Sequence, residues 1–414
     1  MKKLLILAAI ATILFSCSQE EPLQNENALE NFYSSKLRTK EEVINIAQDF
    51  ANEHQRGRSG ARYVDESKVF TLDSHKSRSN SEPLMYVVEY EDNRGYAIVA
   101  APKNVEPILA VIDEGSYQES INSGNPGFKF FMDAAEEYVS TMSIGGADPN
   151  PDGPNDPKPL AEYRVDVDTI FRFAVEPQVK VNRGQNYPEG KLCPNLISGC
   201  YPTALFMICE YFQEPKSIKL TFDNNQTINL PWNEMSKAIS EPAGKNIIAR
   251  LFPIESNPNY MAVAQLCRQI GKISVTNYSS PVESTTGSDR IHSSTKNILS
   301  SKNVGDYKAY NYMDIVNTLT SGGLVLCTGL KPNSNSGHAW VADGCEYMKT
   351  IQATYYREQG KVRWTLIKEE EAYYCLVYFN WGWNGDSNGV FSGDVFRPTE
   401  TKTYSKELKM ITIK

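Results

Sequence analysis

The sequence predicts two α+β domains in series, and three observations carry that prediction. At 414 residues the chain exceeds what one hydrophobic core usually organises. Residues 144–160 are dominated by glycine, proline, aspartate and asparagine, keep no apolar periodicity and read as a linker. On each side of it helix-period and strand-period stretches occur together, which is the pattern of α+β folds.

Residues 1–17 form a targeting segment, in which Lys2 and Lys3 precede an apolar run from Leu4 to Phe15 that is too short to span a bilayer. The ending Leu14-Phe15-Ser16-Cys17 resembles the bacterial lipobox, which implies lipidation at Cys17; the alternative is an ordinary secretory signal with an incidental cysteine. Ser18-Gln19-Glu20-Glu21 resembles an acidic surface-export tag. No later run reaches the ~18 apolar residues of a spanning helix, so acyl chains alone would hold the protein to a membrane. The expectation is export and lipid anchoring at the bacterial cell envelope, on the outer-membrane surface or released after processing. Residues 18–39 are polar and suit a tether.

The first domain is expected over residues 40–143. Glu41 to Phe50 places Val43, Ile44, Ala47 and Phe50 at helical spacing. Leu84 to Tyr90 and Tyr96 to Ala101 read as strands around an Asp92-Asn93-Arg94-Gly95 turn, Ile108 to Ile112 as a third strand, and Phe128 to Met142 as a closing helix. The second domain, residues 161–414, carries nearly all the cysteines and all five tryptophans.

Composition excludes several classes. A net charge of -8 with no basic block gives no reason to expect a nucleic-acid partner. Of eight cysteines, setting Cys17 aside leaves seven, so at least one thiol stays unpaired in an oxidising compartment. No Cys-x-x-Cys pair exists and the four histidines are scattered, so neither a metal site nor a cofactor is expected.

The chemistry concentrates in three segments. Ser198-Gly199-Cys200-Tyr201-Pro202 reads as a tight turn entering an apolar helix, with Pro202 in the first turn where a missing N–H costs nothing. A thiol there faces the positive end of the helix dipole, which favours thiolate and can bring its pKa to roughly 3.5–7.5. Cys209, inside the same helix, reads as a small core residue. Ser336-Gly337-His338-Ala339-Trp340-Val341-Ala342-Asp343-Gly344 places His338 at the start of an alternating strand, whereas His54, His75 and His292 lack such a setting. Tyr378-Phe379-Asn380-Trp381-Gly382-Trp383-Asn384-Gly385 supplies an amide flanked by aromatics. A thiol, an imidazole that takes and returns its proton, and a neutral orienter are the parts of cysteine nucleophilic catalysis, and the order Cys, His, Asn is that of papain-like enzymes.

Taken together, the Gly-Cys-x-x-x-Ala helix start, the Gly-His-Ala-x-Val-x-Asp-Gly strand and the Asn-Trp-Gly-Trp-x-Gly segment resemble the streptopain family of cysteine peptidases. Gly95 to Val99, Glu106 to Leu109 and the Phe128 to Val139 helix are similar to that family's inhibitory propeptide, and Met261 to Ile273 resembles a helix of its mature domain. The resemblance implies a papain-like domain, with a Cys-bearing helix packed on an antiparallel sheet that carries the His, behind a small α+β pro-domain acting as intramolecular inhibitor. It implies Cys200 as nucleophile, His338 as general base and acid, and Asn380 with Trp381 as the group that orients and shields the imidazole. It also implies Gln185 as oxyanion donor beside the Cys200 amide, a contribution of about 10² to 10³ in rate. Proteins or peptides would be the substrates.

Departures accompany the resemblance. Tyr201-Pro202 replaces smaller residues after the nucleophile and could narrow the groove, Glu346 to Tyr373 reads as an inserted hairpin turning at Glu358-Gln359-Gly360, and a glycine-rich C-terminal loop is not evident. The Tyr201-Pro202 step and the insertion also suit a catalytically inactive surface lipoprotein that binds protein through this fold, and a separate alternative is a Cys-His hydrolase of peptidoglycan or amides.

Overall fold

In the computed structural model, strand pairing runs unbroken from the N-terminal region to the C-terminus. The structure describes residues 37–54, 61–73, 83–144, 161–238, 240, 257–331, 337–358, 361–397 and 408–414. The targeting segment with Cys17, the tether up to residue 36 and the linker from residue 145 lie outside the described residues.

Helix α1 (Lys40–Glu53) opens on a capping box in which Thr39 accepts from the Glu42 amide and Glu42 returns a bond to the Thr39 amide. It buries Val43, Ala47 and Ala51, the helical spacing read from sequence. Strands β1 (Val64–Leu72), β2 (Met85–Tyr90), β3 (Tyr96–Ala100) and β4 (Ile108–Ile112) pair in sequence order, all antiparallel. The turn between β2 and β3 places Asp92, Asn93 and Gly95 at positive φ, residue types that tolerate it. A short helix α2 (Tyr117–Asn122) leads into α3 (Pro126–Ile144). β1 was not anticipated, because its run of charged and polar residues, Asp65-Glu66-Ser67-Lys68, hides the strand period.

After the linker, β5 (Ala161–Val175) precedes helix α4 (Cys200–Phe212), strands β6 (Ser217–Leu220) and β7 (Gln226–Asn229), and helices α5 (Pro258–Ile273) and α6 (Ser288–Ile298). The chain continues through β8 (Lys308–Ala309), α7 (Tyr312–Thr320), β9 (Leu324–Leu330), β10 (Gly337–Glu358), β11 (Thr365–Asn380), β12 (Gly389–Ser392) and β13 (Leu408–Ile413). Among the described residues, eleven strands form one sheet in the order β1-β2-β3-β4-β12-β11-β10-β9-β13-β8, with β5 added beside β10. The expected hairpin is the long arm of β10 and β11, paired from Val341 with Asn380 out to Tyr356 with Thr365. β5 extends that arm to three strands by pairing along β10 from Cys345 to Glu358.

β4 and β12 join the N-terminal strands to the rest of the sheet, with Val390 opposite Val111 and Phe391 opposite Ala110. Helix α3 packs on the same sheet. Phe131 meets Phe391 at 4.7 Å between ring centroids, and Phe130 lies 6.0 Å from Trp340 and 5.8 Å from Phe396. The face of Gly329 leaves room for Phe130, since a Cβ there would come within 2.7 Å of its ring. His54, at the end of α1, pairs with Glu346 of β10, which also pairs with Arg172 of β5. No helix among the described residues is long and apolar enough to cross a membrane.

Candidate active site

Helix α4 is buried from Tyr201 to Glu210, so its position is set by packing rather than by a polar cap. Its N-cap is Gly199 at φ +96°, a conformation open to glycine, with no side chain capping the first amides. Those free amides surround the Cys200 thiol, which is half-buried and reduced. The amides of Tyr201 and Cys200, joined by that of Ala339 from β10, favour thiolate, but burial outweighs them and pushes the thiol pKa up. The depressed thiol expected from the helix tip is therefore not the state of this closed molecule, and the repulsive charge of Glu283 adds to the rise. Cys209, wholly buried in the same helix, is pushed much further, as befits a core residue.

His338 enters β10 opposite Gly329 of β9. Its Nε2 lies 2.8 Å from the Trp381 carbonyl oxygen. A carbonyl only accepts, so Nε2 carries the proton and the Nδ1 of the neutral ring keeps its lone pair. Trp340 stacks parallel to the imidazole at 6.3 Å, while Trp381 and Trp383 each lie 6.4 Å away. This enclosure pushes the His338 pKa down to about 4, with the Trp381 carbonyl opposing the shift. Asn380 ends β11, and its Oδ1 accepts from the Gly382 amide at 3.1 Å, so here the Trp381 main chain orients the imidazole. The Trp381 indole is fixed by Nε1 donating to Ser387 O and by its amide donating to Asn388 Oδ1.

Gln185 is buried on a loop tied to the turn that precedes Cys200. The amide and hydroxyl of Ser198 donate to the Gln185 carbonyl at 2.8 and 3.1 Å, and Thr203 Oγ1 donates to Gly184 O at 3.3 Å. The Asn384 amide donates to Arg183 O at 2.8 Å, so the Gln185 loop, the Cys200 turn and the Trp381 segment are joined. Beneath them the Arg183 guanidinium, fully buried, donates to both carboxylate oxygens of Glu210 on α4 and to the Ala238 and Met235 carbonyls. Sequence reading did not find this brace. The only available signal was a charged residue beside a glycine in a segment otherwise read as a loop.

The remaining wall comes from α3. Asn125 caps that helix by accepting from the Gly127 and Phe128 amides, and its Nδ2 donates to Asp386 O at 2.9 Å. A Cβ on Gly127 would lie 2.7 Å from His338 Cδ2 and would collide with the Trp381 ring, so helix backbone rests directly on the imidazole. Tyr201 does not narrow the groove. Its side chain is buried, with the hydroxyl bonded to Ser294 and Thr295 of α6 at 2.6 and 3.0 Å. The first turn of α3 thus meets His338 and Trp381, and the Ala339 amide beside His338 reaches the Cys200 thiol. The Gln185 main chain is tied to Ser198 just before that thiol, and Asn380 lies one residue from the carbonyl that holds the ring. Among the described residues no cluster of His, Cys, Asp or Glu could hold a metal ion.

Comparison with known proteins gives the arrangement a context. The family model described as the peptidase C10 family matches residues 182–391, just over half the chain, and the model described as Spi protease inhibitor matches residues 35–139. Streptopain of Streptococcus pyogenes serotype M1 is 24% identical over 395 residues, covering 90% of this chain and 88% of its own. Streptopain of serotype M28 (strain MGAS6180) gives the same identity and coverage. In three dimensions the chain resembles a prointerpain A fragment of Prevotella intermedia, with a TM-score of 0.54 at 20% identity, covering 85% of this chain and 98% of that one.

Proposed function

The chain belongs to the peptidase C10 family and is a cysteine-type endopeptidase with a Spi-inhibitor-like pro-domain, and on that premise we propose how it is built, activated and located. Residues 40–143 are the inhibitory pro-domain, residues 144–160 the linker and residues 161–414 the papain-like catalytic domain. Cys200 is the nucleophile and His338 its base. His338 Nδ1 takes the thiol proton and the thiolate attacks the peptide carbonyl carbon. The Cys200 amide and the Gln185 side chain donate to the oxyanion. The imidazolium then protonates the leaving amine as the C–N bond breaks. Water, deprotonated by the same nitrogen, hydrolyses the thioester. The Trp381 carbonyl holds the ring and its indole shields it from behind, while Asn380 fixes the turn that carries them.

The observation that carries this reading is the Gly127 backbone lying on the His338 ring, next to the Ala339 amide that reaches the Cys200 thiol. A neutral imidazole with a pKa near 4 and a thiol pushed upward describe a pair held in its unionised form. Removing α3 would hydrate the imidazole and let the ion pair form. The lipobox-like end of the targeting segment supports export and anchoring through Cys17 at the cell envelope.

Incubated alone, the precursor should trim itself between about Ile144 and Lys180, followed by mass spectrometry, while a Cys200→Ala precursor stays full length. Equal maturation of the Ala form would refute self-processing. An epoxide thiol inhibitor should label the matured enzyme once, at Cys200, and metabolic labelling with a fatty acid should depend on Cys17.

A further inference from the structure

One wall of the cleft carries a charge that the reaction does not use. The loop from Ser280 to Ser284 is closed at its base, where Asn277 and Thr285 exchange main-chain bonds of 2.7 and 3.1 Å. It is pinned to the approach to the nucleophile. The Asn195 side-chain amide donates to Ser280 O at 2.7 Å and to Glu283 O at 3.0 Å, and Ser284 Oγ donates to Ile197 O at 2.8 Å. Ser284 is buried against Gly199, where an added Cβ would lie 3.2 Å from the Ser284 Cβ. Glu283 stands beside it, exposed, and among the described residues no cation pairs with its carboxylate. Main-chain and Ser284 contacts fix where the loop sits, so the position of Glu283 does not depend on its own side chain.

The side of the cleft follows from the chemistry. The imidazole must reach the leaving amine, so the His338 and Trp381 wall borders the leaving-group half of a bound peptide. Gly199 and Ser284 adjoin the nucleophile through the turn that precedes it rather than through the strand of His338, and we assign them and Glu283 to the acyl half. An unpaired carboxylate in that position attracts a cationic side chain and repels an acidic one. It also opposes the Cys200 thiolate, a repulsion that a bound cation would offset.

We propose that Glu283 makes this peptidase select lysine or arginine on the acyl side of the scissile bond. The inference deepens the proposed function and rests on Cys200 and His338 as the catalytic pair. An exposed carboxylate meeting a cation in a partly desolvated cleft should change kcat/KM about tenfold.

The test uses matured enzyme and matched fluorogenic peptides that differ only in one residue, arginine, alanine or glutamate, placed in turn one, two or three positions before the cut. At one of these positions arginine should exceed alanine about tenfold in kcat/KM and exceed glutamate by more, and raising the salt concentration should shrink the ratio. In E283Q the arginine-to-alanine ratio should fall toward one, and in E283K glutamate should become the preferred residue. Both ratios are independent of the fraction of active enzyme. Turnover of alanine peptides with no arginine preference, or a preference untouched in both variants, overturns this inference alone. Absence of all turnover, with Cys200 refusing an epoxide label, overturns the catalytic reading and this inference with it.

Discussion

Two of the regions where the pro-domain meets the catalytic domain are built on different principles. At the seam, β4 adds itself to β12 through main-chain hydrogen bonds, and Ser392 donates to the carboxylate of Glu106 at 2.8 Å. At the seat, the first turn of α3 lies on His338 and Trp381 by virtue of having no side chain at Gly127, with Phe130 and Phe131 filling the space behind. Main-chain pairing tolerates most substitutions, whereas a close approach by glycine tolerates none. Holding the pro-domain and silencing the imidazole are thus separable, the first resting on strand addition and the second on shape.

The largest effect should come from Gly127→Leu. Its Cβ would overlap Trp381 and crowd His338, so the first turn of α3 must lift while the seam stays paired. Overpacking at such a site costs up to about 4 kcal/mol, or roughly a thousandfold in the open fraction. The initial rate of Cys200 alkylation in the uncleaved precursor should rise on that scale, and maturation should accelerate with it. An unchanged alkylation rate would mean that the seat does not govern access.

Acid should loosen the seat next. The enclosed His338 titrates at about 4, below the ordinary value near 6.5. Between those two values the opened state binds more protons than the closed one, so stability falls as pH falls. This contribution is complete above about pH 6.5 and about 3 kcal/mol of it is gone near pH 4. Buried Asp343 and Glu189, both raised to about 7, act in the opposite direction, so the parent must be compared with a matched variant. Melting of the Cys200→Ala precursor and of its Cys200→Ala/His338→Asn counterpart from pH 4 to 7 isolates the imidazole. Parallel curves would remove His338 from the account.

How much of this was legible in the sequence depends on which atoms do the work. Cys200, His338 and the Asn380-Trp381 segment stood out because a thiol, an imidazole and an amide are side-chain identities at recognisable positions on helices and strands. The helix from Glu41, the strands near Leu84, Tyr96 and Ile108, and the helix over Phe128 to Met142 followed from apolar period alone. The Trp381 carbonyl that holds the imidazole has no side-chain signature, and neither does a glycine whose value is the space it leaves. The thiol was expected to be acidic from its place at a helix tip, but burial among residues distant in sequence is a tertiary fact that no local pattern records. β5 lies between these cases. Tyr163, Val165 and Val167 alternate with Arg164, Asp166 and Asp168, a strand period that was readable, yet its partner β10 is almost two hundred residues away.

The smallest effect sharpens the comparison most, because it acts at the seam and should leave the seat untouched. Burial and the nearby Asp394 push the Glu106 carboxyl up to about 8, while the Ser392 hydroxyl opposes them. A carboxyl whose pKa is raised in the docked state keeps its proton there and loses it when freed. Docking is therefore unhindered in the ordinary carboxylate range and weakens as pH climbs toward 8. Since Glu106 is only half-buried, the loss is scaled to roughly 2 kcal/mol. Glu106→Gln keeps a neutral amide of similar shape beside Ser392 and carries no charge to repel Asp394. In the Cys200→Ala precursor it should flatten the decline in melting temperature between pH 6.5 and 8 and leave the acid limb, which belongs to His338, where it was. If the substitution moves both limbs together, strand seam and helix seat act as one contact, and the separation of holding from silencing fails.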